Sequence, residues 1–402
     1  MPVGLKPPAE LHPVAGVELA TVSAGLRRRP ADDLLLVRCA PGTRYSAVFT
    51  RNAFCAAPVT VCRRLLGAGE PIGGFLVNAG NANAGTGAAG IATAEACARR
   101  GGELVADGAA LLPFSTGVIG QALPREKLLE AMERAGAGLD AGNWSAAARA
   151  IMTTDTLPKG ASRRVHTAAG EFSVTGIAKG AGMICPDMAT MLAFVACDAP
   201  LDQAQLDATL RAAVSESFNS ITVDGDTSTN DAVLLCATGD PAQTLGADGL
   251  DAVSAAITEL MVELAQAIVR DAEGATKFVT VEVGGARDAE EARRVAQTIA
   301  HSPLVKTAWF ASDANWGRIL AAVGRAGIAD LAIEKVDLHL DGVCLIRGGE
   351  PDPGYREEHG AAVMSQPEFT VRVNLGRGQS AQRIWTCDLG HDYVRINAEY
   401  RT

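Results

Sequence analysis

Apolar residues recur along this chain in two rhythms. From Met191 to Cys197 every side chain is apolar, the pattern of a strand buried on both faces. Over 250–271, Val253, Ile257, Leu260, Leu264 and Ile268 return at helical spacing and predict the longest helix, with one buried face. The same reading predicts strands over 34–38, 46–50, 59–62 and 75–77, then helices over 92–105, 125–134 and 144–152. A strand follows at 171–176, and the core strand at 190–197 precedes a helix over 202–217, entered through Pro200. Beyond this the signals alternate: strand 278–283, helix 289–299, strand 305–310, helix 315–323. The final stretch reads as strand-rich, over 336–340, 343–346, 369–375 and 383–387. A segment rich in glycine, proline and charge at 348–360 is expected to be exposed. No internal repeat or low-complexity linker interrupts the pattern, which is that of a mixed α/β protein.

Composition narrows the class. A chain of 402 residues is too long for one ordinary core, so two or three packed units are expected. With 48% apolar residues, 20% charged and 43 glycines, it reads as a well-folded protein with many tight turns. Its 36 basic and 46 acidic residues give a net charge of −10 with no basic run, which argues against nucleic-acid binding. The nine cysteines are scattered, with no C-x-x-C and no paired histidines. They read as reduced, mostly buried side chains, neither a disulfide framework nor a zinc site. The start, from Met1 to Pro8, has no apolar core of a signal peptide, and no window approaches the ~18 apolar residues of a membrane span. A cytoplasmic location is expected.

Candidate chemistry begins at Ala189-Thr190, after a glycine-rich turn and a proline and at the mouth of the apolar strand. The bland reading is that Thr190 simply begins a core strand. Were the Ala189–Thr190 bond cut, Thr190 would hold a free α-amine beside its own hydroxyl, an arrangement for nucleophilic catalysis. Other motifs are weak in isolation. Ser115-Thr-Gly-Val-Ile-Gly120 reads as a turn between apolar segments, and Lys179 as a solvated loop lysine. Glu273 reads as a glutamate at the end of the long helix with Gly274 as C-cap, mildly disfavoured by the helix dipole. The segment 397–402 reads as a frayed tail. Gly85-Thr-Gly-Ala-Ala-Gly90 satisfies the dinucleotide fingerprint, but Asn78 to Ala84 separate it from the preceding strand where a tight turn is needed. Asp224-Gly-Asp226 does not continue as a calcium loop, because Thr229 and Leu235 occupy the positions that require Gly and Glu.

Taken together, the motifs carry more. The run from Lys179 through Pro186 and Ala189-Thr190 to Cys197 is one block. Others are Ala47 to Pro58, Val77 to Asn83, Ser115 to Gly120, Met152-Thr-Thr-Asp-Thr156, Asp224 to Asp231, Glu273-Gly-Ala-Thr-Lys277, Ser312 to Arg318 and Tyr393 to Thr402. In this order they resemble the ornithine acetyltransferase (glutamate N-acetyltransferase) family of arginine biosynthesis. Departures are few: Cys185, Asp187 and Gly85 stand where the family usually has other residues.

The resemblance implies a layered helix–sheet–sheet–helix core like that of N-terminal-nucleophile hydrolases, with a different topology, plus a smaller C-terminal α/β unit. It implies a catalytic domain over 1–280, self-cleaved between Ala189 and Thr190 into chains 1–189 and 190–402, and a second domain over 281–402. It implies transfer of acetyl from N2-acetylornithine to glutamate by ping-pong chemistry on Thr190, with Thr116 and Gly117 as the oxyanion hole. Thr153, Lys179, Glu273, Asn397 and Thr402 match substrate-binding positions, Lys179 suiting a carboxylate. Glu273 suits either an ornithine ammonium or the Thr190 amine. No metal or organic cofactor is implied, acetyl-CoA stays open as a co-substrate, and a dimer of cleaved heterodimers is expected. The rival within the fold is a self-cleaving hydrolase of the D-aminopeptidase/esterase group. A dinucleotide oxidoreductase or a non-enzymatic interaction protein fits the motifs less well.

Overall fold

A computed structural model of the protein describes residues 2–27, 30–185 and 191–399. The chain forms two compact units, one of Lys6–Asn219 with Asp226–Ile268, the other of Met1–Leu5, Ser220–Gly225 and Val269–Thr402. This division differs from the one expected at 280/281, a position inside a strand, Phe278–Ala286, that is paired along its length.

The larger unit runs β1 (Val17–Val22), β2 (Leu34–Cys39), β3 (Arg44–Phe49), α1 (Ala57–Ala68), β4 (Ile72–Asn81), α2 (Gly87–Val105) and β5 (Ala110–Val118). It continues with α3 (Arg125–Gly136), α4 (Trp144–Ala150), β6 (Lys159–Thr167), β7 (Gly170–Lys179), β8 (Leu192–Cys197), α5 (Gln203–Glu216), β9 (Ala232–Ala237) and α6 (Gly246–Arg270). Two sheets result, in the orders β1-β2-β4-β5 and β3-β9-β8-β7-β6. Alternation along β2 shows why they stack. Leu35 and Val37 point into the space between the sheets, while Leu34 and Leu36 point outward onto α2 and α3. Phe75 and Phe114 of the first sheet meet Phe194 of the second, with ring centroids 4.8 and 5.0 Å apart. On the far side of the second sheet Gly176 leaves room for Leu260 and Leu264 of α6, which an added Cβ would approach to 2.8 and 3.2 Å. The layers are therefore helix, sheet, sheet, helix, as expected. β8 and β9 lie inside this stack and are buried at every residue.

The smaller unit contains β10 (Phe278–Ala286), α7 (Ala289–Ala300), α8 (Pro303–Phe310), α9 (Trp316–Gly324), β11 (Asp337–Leu340) and β12 (Val343–Arg347). β13 (Glu350–Pro351), α10 (Glu357–Met364), β14 (Glu368–Asn374), β15 (Ser380–Cys387) and α11 (His391–Ala398) complete it. Its sheet, in the order β13-β12-β11-β14-β10-β15, is antiparallel except between β10 and β14. Val279, Val281 and Val283 pack with Val295 and Ile299 of α7, Trp309 of α8 and Ile319 of α9.

Several expectations are corrected. Residues 59–62 and 305–310, expected as strands, lie in α1 and α8. Each run is short and apolar, but Pro58 sits in the first turn of α1, and Ser302 caps α8 ahead of Pro303. The Ser115–Gly120 turn is instead the end of strand β5, through Val118. α6 is long and apolar enough to cross a membrane, contrary to the reading that no window approaches such a span. Of its most apolar stretch 56% is buried, as befits a core helix of the sandwich.

Candidate functional site

β4 and β5 run parallel, and at their C-terminal ends the ladder is irregular, with Asn81 facing both Thr116 and Val118. Such a bulge re-aims the backbone next to it. Gly117 adopts φ +131° there, and an added Cβ would lie 2.3 Å from the carbonyl carbon of Gly80. Only glycine fits that approach. Four buried asparagines brace the region. Ser115 Oγ donates to Asn78 Oδ1 at 2.6 Å, and Asn78 Nδ2 donates to the Asn81 carbonyl at 2.8 Å. Asn230 Nδ2 spans the carbonyls of Ala82 and Ser115 at 2.7 and 2.8 Å. Asn83 accepts from Thr86 and donates to the Gly90 carbonyl. The polar groups of the loop that carries the dinucleotide-like glycines are thus already bonded to one another.

Thr116 and Lys179, 63 residues apart, meet: the Lys179 ammonium donates to Thr116 Oγ1 at 3.0 Å, and both residues are buried. Lys179 ends β7 and pairs with Leu192 at the start of β8. It is not the solvated lysine of the isolated reading. Beside it lies Asp155, whose Oδ1 accepts from the Lys159 ammonium at 2.6 Å and the Gly180 amide at 2.7 Å. Asp155 Oδ2 accepts from the Thr153 amide at 2.9 Å, which links a third expected site residue to the cluster. Burial pushes the Asp155 carboxyl up, but Lys159, Lys179 and the Gly180 amide outweigh it and hold the group well below the usual carboxylate range. The sequence motifs single out neither Asp155, Lys159 nor the four asparagines as candidate site residues. Asp155, Asn78 to Asn83 and Asn230 nevertheless lie inside the recognisable motif blocks.

In the smaller unit, α6 has ended at Arg270, and Glu273 lies in the turn that follows, not at the helix end. It is 9% exposed, and its Oε2 accepts from Asn397 Nδ2 at 2.8 Å. Gly274 has φ +71°, and a Cβ there would come within 2.5 Å of the Tyr393 nitrogen, so glycine lets α11 lie close. Tyr393 donates to Asp224 at 3.1 Å. Asn397 thus belongs to a helix and not to a frayed tail. Ala189, Thr190 and Thr402 lie outside the described residues.

A cleft of about 1540 Å³ opens in the larger unit around Gly16, Arg38, Arg44, Tyr45, Gly73 and Asp207. It sits where β4 begins and β2 ends, at the opposite end of the sheets from Thr116, and none of the expected site residues lines it.

The pattern of the ArgJ family matches residues 18–402. The arginine biosynthesis bifunctional protein ArgJ of Pseudomonas syringae pv. tomato is 52% identical over 408 residues, covering 100% of both chains. The protein of the same name from Methylococcus capsulatus is 54% identical over 396 residues, covering 98% of this chain and 97% of that one. The crystal structure of the Bacillus halodurans protein of that name shares 40% identity, covering 50% of this chain and 96% of that one, with a TM-score of 0.47. By its match across almost the whole sequence and its full-length relatives, the chain belongs to the ArgJ family.

Proposed function

We propose that this protein transfers the acetyl group of N2-acetyl-L-ornithine to L-glutamate through an acetyl-threonine ester, and that acetyl-CoA is a second acetyl donor to glutamate. The observation that carries the reading is 52% and 54% identity, over essentially full length, to relatives named arginine biosynthesis bifunctional proteins. Their designation as bifunctional supports two acetyl donors. The buried contact between Thr116 and Lys179 agrees with the roles expected of both.

Activation begins when Thr190 Oγ1 attacks the Ala189 carbonyl carbon. The peptide nitrogen leaves as an amine, and water hydrolyses the resulting ester to give chains 1–189 and 190–402. The new α-amine, with an ordinary pKa of ≈ 7.7–8.0, accepts the proton of its own hydroxyl near neutrality. Thr190 Oγ1 then attacks the acetyl carbonyl of acetylornithine, and ornithine departs with the proton. The amine of glutamate attacks the acetyl ester, N-acetylglutamate leaves, and the hydroxyl is restored. Each tetrahedral intermediate places its oxyanion on the Thr116 hydroxyl and the Gly117 amide, where one preorganised donor is typically worth ≈ 10²–10³ in rate.

Lys179 and Thr153 receive the substrate carboxylate, while Glu273, Asn397 and Thr402 complete substrate binding. No metal or organic cofactor enters these steps. The cleaved chains assemble as a dimer of heterodimers in the cytoplasm. Replacing the nucleophile tests the reading. Thr190→Ala should give one chain of 41.5 kDa by intact mass under denaturing conditions, with no acetyl transfer, whereas the unsubstituted protein gives two chains. Transfer at the normal rate by the variant would sink the mechanism.

A further inference from the structure

We propose that Asp155 is a positioning residue of the transfer reaction, holding Lys179 against Thr116 so that the Thr116 hydroxyl is left to donate to the developing oxyanion. The inference rests on the acetyl-transfer reading above and adds a residue to it.

A lysine ammonium has donors and no acceptor. In its 3.0 Å contact with Lys179, Thr116 Oγ1 must therefore be the acceptor. Among the described residues the Thr116 hydroxyl donates to nothing, so its hydrogen is left for another acceptor. A hydroxyl that accepts from a cation in a buried setting is polarised into a stronger donor. Thr116 is thus set as an oxyanion donor before any substrate arrives, which is the condition under which such a donor accelerates reaction.

Asp155 is what fixes Lys179 there. Its carboxylate takes the amide of Gly180, the residue after Lys179, at 2.7 Å. It takes the Lys159 ammonium at 2.6 Å, and Lys159 pairs with Ala178, the residue before Lys179. It takes the Thr153 amide at 2.9 Å. One carboxylate therefore ties the end of β7, the start of β6 and the 153–155 segment to a single point. The Asp155 and Lys159 side chains are 0% exposed. Lys159 is engaged by Asp155, and Lys179 turns its ammonium toward Thr116.

A purely structural ion pair would show the same burial, so the test separates the two roles. Asp155→Asn should lower kcat for transfer by about 10²-fold, the typical effect of losing one oxyanion donor, beyond any rise in KM from loosening Lys179 and Thr153. The double variant Asp155→Asn/Lys159→Met removes the lysine left without its carboxylate. It should regain thermal stability and normal self-cleavage by intact mass, but not kcat. Recovery of kcat together with stability would make Asp155 structural and overturn the inference. So would a loss confined to KM, or a double variant that does not fold. Unsubstituted protein that transfers no acetyl would overturn the acetyl-transfer reading and this inference with it. Transfer by the unsubstituted protein alongside unimpaired variants would overturn this inference alone.

Discussion

Gly117 shows how little freedom the proposed oxyanion hole has. Its φ of +131° is nearly closed to residues with a Cβ, and a methyl group there would lie 2.5 Å from the Asn81 nitrogen as well as against Gly80. Relief must come from the backbone of β4, since both obstructing groups are main chain. Gly117→Ala should therefore destabilise the larger unit by about 1–3 kcal/mol and lower transfer by about 10²-fold. Denaturant unfolding and steady-state kinetics would read the two effects, and a variant that keeps full activity would remove Gly117 from the site.

The chemistry at this scale is only partly legible in the sequence. Lys179 and Thr116 look ordinary alone, because what sets them apart is burial and a partner 63 residues away. Motif order brought them forward. Asp155 stands within a motif block, but its weight comes from three segments that meet only in the fold.

At the scale of elements, rhythm served well wherever one face is buried. α3, α5, α6 and α7 lie where helical spacing puts them, and β8 where continuous apolarity does. It failed where runs are short. Val59 to Cys62 and Val305 to Phe310 are too brief for periodicity to separate strand from helix, and the prolines at their starts were the better guide. β5 went unseen because Pro113 and Gly117 punctuate it as a turn would, although its bulged end is where the site forms. α11 was legible only through its motif, since it has no buried residue to produce a pattern. It is held instead by polar contacts, Tyr393 to Asp224 and Asn397 to Glu273. Truncation after Gly390 should leave self-cleavage intact by mass while lowering transfer by about 10²-fold, as expected when substrate-positioning groups are lost. Unchanged transfer by the truncated protein would exclude Asn397 and Thr402 from substrate binding.

For the whole molecule, stability should respond to acid through His301. Burial, then Lys306 and Arg325, push this imidazole down from 6.5 to about 4. The unfolded chain binds a proton that the folded protein refuses, so stability falls as pH drops from 6.5 toward 4, by at most about 3 kcal/mol. His301→Asn, which keeps a polar partner for Thr222 Oγ1, should flatten this part of the profile in denaturant unfolding at pH 4.5 and 7. An unaltered slope would assign the acid sensitivity to other groups.

The order β3-β9-β8-β7-β6 bears on what maturation can mean. β3, β6 and β7 precede Ala189 in the chain, while β8 and β9 follow Thr190. Severing that bond would change the number of polypeptides without removing one rung of the ladders that join β8 to β7 and β9 to β3. Within this sheet the products would be less like subunits that meet than like two threads of one weave. Folding of the larger unit should then come before the cut, and two halves made from separate genes would have to build this sheet together.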